Sequence, residues 1–453
     1  MYLTDRSTPP RADTGRRRRR GLRSRAAPVV FVLGTVSLIT DISSEMVTAV
    51  LPLYLVTTLG FSPLGFGALD GVYNGVSALV QLVGGHLADR VRNHKLIAGL
   101  GYGLSALCKP LLLLAGSVGT LGTVLALERT GKGLRTAPRD AMISLSTPPE
   151  NQGRAFGVHR AMDTTGAMLG PLAAFFILRA ATDGYDAVFG VSACVAALGV
   201  LVLVLFVPGG QRAARADGPT ENTGRQRHHD EPDDGGAPPD GAGATDGAAT
   251  ADTGPPVHLR EALALLRLPR LRALAGCAAL LGLTTVSDAF VYLLLQRRAG
   301  IGEQWFTLLP LGTAVVFLLL AMPVGALADR IGRRTVFLAG HAALLLGYAL
   351  LLWAPATPVL PPLVLALHGT FYAATDGVLP AALADIVPGQ LRASGLAIVG
   401  TSQALARFCC SLAFGAAWTV WGDGPALAGA AAGLLCCATV AGMVLRPTGG
   451  TRS

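Results

Sequence analysis

The chain has 453 residues, of which 51% are hydrophobic and only 14% charged, with a formal net charge of +9. An average soluble protein is roughly 25% charged, so this composition argues against a water-soluble fold, and unbroken apolar runs such as 198–207 and 315–320 argue against the short alternating segments of a transmembrane β-barrel. The basic charge sits at the ends of apolar stretches rather than in one patch, which marks membrane topology and not a nucleic-acid partner.

Nine of the 37 basic residues fall within the first 25 positions, including the run Arg16 to Arg20. Residues 1–27 are therefore read as a basic cytoplasmic tail. The apolar stretch that follows is long and contains acidic groups, unlike a cleaved signal peptide, so it is expected to be retained as the first span.

Apolar runs between charged or Pro/Gly breaks then predict membrane helices over 28–58, 64–87, 96–115, 119–142, 155–179 and 187–207. After a gap, further runs cover 272–295, 306–327, 335–353, 360–384, 392–420 and 425–445. The fold class expected is an all-α polytopic membrane protein of 12 transmembrane helices, six in 28–207 and six in 257–445. Between them, 208–256 holds seven Pro and ten Gly with nine acidic and four basic side chains, a composition expected to form a disordered cytoplasmic linker. His258 to Leu268 has apolar residues at helical spacing and reads as a short interfacial helix, and 446–453 as a cytoplasmic tail. The seven cysteines, all within apolar stretches, have neither zinc-site nor disulfide spacing.

Basic residues concentrate in alternate loops. Arg90, Arg92 and Lys95 follow the second span, Arg154 the fourth, Arg330, Arg333 and Arg334 the eighth, and Arg392 the tenth, whereas the alternate loops carry few, Arg179, Arg297 and Arg298 being the main exceptions, and those near Gly60, Gly116 and Pro355 have none. Both termini are thus expected in the cytoplasm of a bacterial cell.

Three segments recur at near-equal offsets. Gly84 to Arg90 returns as Val324 to Arg330, Arg154-Ala-Phe-Gly157 as Arg392-Ala-Ser-Gly395, and Ser44-Glu45 as Ser287-Asp288. Two halves related by duplication follow from that order.

Gly325-Ala-Leu-Ala-Asp329-Arg330-Ile-Gly332-Arg333-Arg334 resembles the signature loop of the major facilitator superfamily of secondary transporters. The first half keeps Gly85 through Arg90 but has Arg92, Asn93, His94 and Lys95 where the pattern ends Gly-Arg-Arg. Arg129-x-x-x-Gly133 is similar to the superfamily's intramembrane arginine motif, and Gly157, Gly166, Gly170 and Pro171 to its antiporter signature. Small residues there allow close helix packing, and the proline a hinge. Thr40 to Met46 and the fourth span resemble a prokaryotic branch of the superfamily.

The resemblance implies a cytoplasmic gate at Asp89, Arg90, Asp329, Arg330 and Arg333, with Asp140 and Asp385 as partners. It also places the first and fourth helix of each half around a central cavity. Independently of family, an ionisable group at mid-membrane costs about 2.5–3.5 kcal/mol by insertion scales, so a cluster of them points to function. Asp41 and Glu45, four apart, share one helix face and are the preferred proton or substrate-cation sites, with Arg129 or Lys132 as counter-charge. Arg160 and Asp163 form a second pair, neutralising each other or joining the site. Asp288, Asp376 and Arg407 are the second-half candidates, with His368 and Gln403 as polar neighbours and His368 read as a packing residue.

The expected function is proton-coupled transport of a small solute by alternating access, with export by antiport favoured over import. The partners expected are the lipid bilayer, the solute and protons, with no nucleic acid and a monomer as the working form; no cofactor or bound metal is expected. An uncoupled facilitator or divalent-cation carrier, the latter through Asp41, Ser43 and Glu45, and a non-transporting sensor or scaffold stay open as alternatives. An enzyme is not expected, because no Ser-His-Asp or metal-hydrolase constellation appears.

Overall fold

The computed structural model describes residues 28–73, 75, 76, 80, 94–147, 152–207, 267–376 and 392–445. Asp89, Arg90, Asp385, the 208–256 linker and most of the expected interfacial helix lie outside them. Among the described residues regular structure is helical throughout: α1 Pro28–Leu53, α2 over 63–73, α3 His94–Leu111, α4 Val118–Leu145, α5 Gln152–Ala180 and α6 Gly184–Phe206. There follow α7 Pro269–Gly282, α8 Asp288–Ala299, α9 Glu303–Phe306, α10 Leu309–Ile331, α11 Arg333–Trp353, α12 Leu360–Thr375, α13 Arg392–Trp421 and α14 Asp423–Val444.

Eight of these segments are long and apolar enough to cross a bilayer. Many project large apolar side chains outward, Leu107, Leu319 and Val420 among them, as helices facing lipid do. With its 28 residues α4 is also long enough, yet it is not one of the eight: it carries Glu128, Arg129, Lys132, Arg135, Arg139 and Asp140. Its start is fixed by a capping box, the Ser117 hydroxyl accepting from the Thr120 amide while the Ser117 amide donates to Thr120 Oγ1.

By contact the chain forms two compact units, residues 1–207 with 288–314, and 208–287 with 315–453. In the first unit small residues let backbones meet. A Cβ at Gly166 would lie 2.5 Å from the Leu38 carbonyl oxygen, and one at Gly170 would lie 2.7 Å from the Glu45 Cβ, so α5 rests directly on α1. Gly101 and Gly131 bring α3 against α4 in the same way. Ser43 and Ser192 exchange hydroxyl contacts at 2.9 Å between α1 and α6. Gly157 faces open space, so the close approach is made by Gly166 and Gly170, and α5 runs helical through Pro171. An apolar cluster of Val30, Leu33, Val36, Ala98, Tyr102, Ile143 and Leu203 closes one end of this bundle.

Residues 288–314 pack within the first unit. Phe290 stacks edge-on to Phe66 at 4.7 Å, Trp305 lies 5.1 Å from Phe175, and the Tyr185 hydroxyl donates to Glu303 at 3.0 Å.

The seventh apolar run is not the single helix expected over 272–295. It breaks between Gly282 and Asp288, where Thr285 gives its hydroxyl proton to Leu281 O and the amide of Val286 is taken by the Tyr348 hydroxyl at 2.8 Å. Hydroxyl side chains that bond the backbone locally, with an acid placed to start the next helix, favour such an interruption.

In the second unit Gly340 packs on Ala374, Gly282 on Ala406 and Gly433 on Thr284. Arg334 donates to the Gly442 carbonyl, tying α11 to α14.

Candidate functional site

On α4 the spacing of Arg129, Lys132, Arg135 and Arg139 is three, three and four, which puts four cations on one helix face. On α1 Ser37, Asp41, Glu45 and Thr48 recur at four, four and three. The two faces meet in antiparallel register. Arg139 Nη1 donates to Ser37 Oγ at 3.3 Å, Arg135 Nη2 to Asp41 Oδ1 at 3.4 Å, and Lys132 Nζ stands 3.8 Å from Glu45 Oε1.

The last rung is indirect. The Arg129 guanidinium lies 3.7 Å from the centre of the Tyr73 ring, and the Tyr73 hydroxyl is 2.8 Å from Thr48 Oγ1. Tyr102 plays the same part for Arg135, whose guanidinium sits 4.6 Å from that ring while the Tyr102 hydroxyl meets Ser37 at 3.4 Å. A cation over an aromatic face gains about 2 kcal/mol or more when desolvated, which helps offset burial.

Behind the ladder lies a second buried cluster. Glu128 accepts from Arg129 Nε at 2.6 Å, from Lys109 Nζ at 3.2 Å and from Ser105 Oγ at 3.2 Å. All four residues are buried. One carboxylate thus holds two cations, and removing it would leave both uncompensated.

The ladder is not uniformly dry. Arg135 has a side chain 3% exposed, whereas Lys132 and Glu45 are 31% and 26% exposed. The Glu45–Lys132 pair is therefore more open than the Asp41–Arg135 pair.

The direct ion pairs of Asp41 and Glu45 are made with other cations than Arg129, Lys132 being the one of the two expected partners that is brought within 4 Å. Those carboxylates pair with Arg135 and Lys132, because the antiparallel register carries Arg129 one turn past Glu45 and its Nε is already held by Glu128. The sequence reading missed Arg135, Arg139 and Glu128 as site residues, although their spacing along α4 was a signal that could have found them.

Asp163 on α5 lies 3.7 Å from both Arg139 and Arg160, but Arg160 is 80% exposed, so the buried partner is Arg139. Asp140 pairs with Arg139 at 3.0 Å. Asp329 meets Arg333 across the α10–α11 turn at 3.7 Å, with Arg330 exposed beside it. The turn itself is made by Gly332 at φ 97°, a left-handed conformation that suits glycine.

Asp288 opens α8, and Asp376 caps α12. His368 is buried beside Phe371 and Tyr372, as a packing histidine would be. Arg407, Gln403 and Asp376 line a cavity in the second unit. Among the described residues no three His, Cys, Asp or Glu side chains are grouped to hold a metal ion.

A family model described as the Major Facilitator Superfamily matches residues 33–318. An MFS-type transporter of Methanocaldococcus jannaschii is 28% identical over 402 residues, which is 86% of this chain and 88% of that protein. An uncharacterized protein of Mycobacterium tuberculosis is 34% identical over 162 residues, 36% of this chain and 39% of that one. Among solved structures the nucleoside transporter NupG superposes with a TM-score of 0.73 at 14% identity, over 93% of this chain and 100% of that one. A POT family transporter in complex with 5-aminolevulinic acid superposes with a TM-score of 0.67 at 13% identity, over 93% and 97%.

Proposed function

This chain belongs to the Major Facilitator Superfamily, and from that premise we propose that it moves a small solute by proton-coupled alternating access. It is a multi-pass membrane transporter and not an enzyme. The observation that carries the coupling is the α1–α4 ladder, in which Asp41 and Glu45 each face one cation at 3.4 and 3.8 Å. A carboxylate paired in low dielectric can take up a proton only if its cation finds another partner, and each such exchange changes the contact between two helices. Protonation of Asp41 would release Arg135 from α1. Arrival of an anionic or polar group at Lys132 would release Glu45. Proton and solute thus act on neighbouring contacts between the same two helices, so that binding of one can bias binding of the other, and we favour export by antiport.

Asp41 and Glu45 each stand beside a cation, which favours the proton reading over a divalent-cation carrier. Within the same proposal the protein works as a monomer of 12 spans in two halves in the cytoplasmic membrane, with both termini inside. The cytoplasmic gate residues of this proposal are Asp140 in the first unit, Asp329, Arg330 and Arg333 in the second, and Asp89, Arg90 and Asp385 outside the described residues. A radiolabelled solute panel in proteoliposomes, with and without an imposed pH gradient, tests this reading. A solute driven uphill by the gradient supports it, and accumulation indifferent to the gradient contradicts it.

A further inference from the structure

Three helices of the first unit converge at the Ser37 end of the ladder. Arg139 of α4 donates from Nη1 to Ser37 Oγ on α1 at 3.3 Å, lies 3.7 Å from Asp163 Oδ1 on α5, and donates from Nε to Asp140 Oδ1 at 3.0 Å. One guanidinium thus stands between two acids: Asp140, whose side chain is 43% exposed, and the more buried Asp163. Asp163 in turn faces Asp41, the two carboxyls interacting across the α1–α5 contact.

His159 lies one turn before Asp163 on the same face of α5. It is 4% exposed, and among the described residues neither of its ring nitrogens has a hydrogen-bond partner. The charged groups that act on it are Arg139 and Asp140 from α4, Asp41 from α1 and Arg160 from its own helix. The other buried histidines among the described residues are settled differently. His341 places Nδ1 2.8 Å from Phe337 O, and His368 lies beside the rings of Phe371 and Tyr372. Nor does a helix in this place need the side chain: at the offset that relates Arg154 to Arg392, the duplicated helix has Ala397 in the place of His159 and Thr401 in that of Asp163. A buried polar group without a hydrogen bond costs stability, so this ring asks for a use beyond packing.

Its chemistry supplies one. A guanidinium has donors only and stays charged, so Arg139 links Asp140 to Asp163 by charge but cannot pass a proton between them. A neutral imidazole has one donor and one acceptor nitrogen; it can take a proton on the second and give up the proton of the first. In His159 no protein hydrogen bond has to break before that happens. The acceptor one turn on, Asp163 Oδ1, is buried and held to Arg139 by charge alone, with no hydrogen-bond partner among the described residues.

We propose that His159 is a proton relay that carries protons around Arg139, from the Asp140 end of α4 and α5 to Asp163 and so to Asp41. A proton arriving on one ring nitrogen forms the imidazolium, and the proton on the other nitrogen leaves for Asp163 Oδ1. The ring is then neutral again with its tautomer reversed, and the Asp163 carboxylate has become a carboxyl group. Transfer of that proton to Asp41 is the step that releases Arg135. His159 acts through the two carboxyls and not on the solute. The relay rests on the proton-coupled reading above and adds the route by which the proton arrives.

The test reads proton uptake directly and needs no solute. Purified full-length protein in liposomes receives protons from a photolysed caged acid, and the infrared band of protonated carboxyl groups is followed in time. Asp41→Asn and Asp163→Asn identify the part of the band that belongs to this pair. We expect His159→Gln to keep the final amplitude of that band and to slow its rise at least tenfold, because a relay changes a rate and not an equilibrium. His159→Ala should be slowed in the same way and should recover when imidazole is added, the free base occupying the space of the missing ring. The Gln variant, which fills that space, should not respond.

A wild-type rate of rise in both variants would overturn the relay and leave the coupling reading standing. So would a slow Ala variant that imidazole does not accelerate, which would assign the loss to packing. If the wild type showed no band that Asp41→Asn or Asp163→Asn removes, the coupling reading would fall together with the relay. Amplitude and rate of one band therefore tell the two failures apart.

Discussion

Arg135 lies 3.4 Å from Asp41 while its guanidinium stacks at 4.6 Å on Tyr102, so one α4 side chain joins α1 and α3 in a setting where it is 3% exposed. Removing one member of a buried pair costs about 3–5 kcal/mol, because the other charge is left behind. Asp41→Asn and Arg135→Gln should therefore each lower the unfolding temperature more than the double variant does. A double-mutant cycle by thermal unfolding checks this, and additive losses would show that the two groups do not interact.

Glu128 holds Lys109 at 3.2 Å and Arg129 at 2.6 Å. Glu128→Gln should be the more damaging change, leaving two buried cations with no carboxylate, whereas Lys109→Met still leaves Glu128 with Arg129. Yield of folded protein in detergent, followed by gel filtration, should rank the variants in that order. Equal yields would mean that the cluster is hydrated well enough to screen its charges.

The glycines of α5 separate packing from sequence likeness. Gly170→Ala would force its Cβ to 2.7 Å from Glu45 Cβ and 2.9 Å from backbone atoms of Ile42 and Met46, so a loss of about 1–3 kcal/mol is expected. Gly157→Ala meets nothing within 4 Å and should be neutral or gain roughly 0.5–1 kcal/mol from helix propensity. Thermal unfolding of the two variants side by side decides it.

The loop asymmetry fixes a topology prediction. A reporter that works only in the cytoplasm should be active when fused after Arg334 and silent when fused near Gly116 or Pro355. The opposite pattern would invert the orientation and move the Asp329–Arg333 contact to the other face.

Much of this was legible in the sequence. Long apolar runs gave the helices, since few other patterns bury that much apolar surface, and four-residue spacing placed Asp41 and Glu45 on one face. The partners were not legible. Which cation meets Asp41 depends on how far α4 slides against α1, and each of these helices is seated on a different neighbour, α4 on α3 through Gly101 and Gly131 and α1 on α5 through Gly166 and Gly170. The break before Asp288 was hidden for a similar reason: the apolar run continues through it, and the group that takes its amide, Tyr348, is 62 residues away.

In the proposed mechanism the carboxylates of α1 couple proton and solute. The most direct measurement is solute movement in proteoliposomes by wild type, Asp41→Asn and Glu45→Gln, in two modes: uphill transport driven by a pH gradient, and counterflow with no gradient. Counterflow needs no net proton movement, so the account predicts that Asp41→Asn loses gradient-driven transport while keeping counterflow, with Glu45→Gln showing the same split more weakly. If both variants kept gradient-driven transport with the wild-type pH profile, the α1–α4 ladder would be a structural strut and not the coupling site.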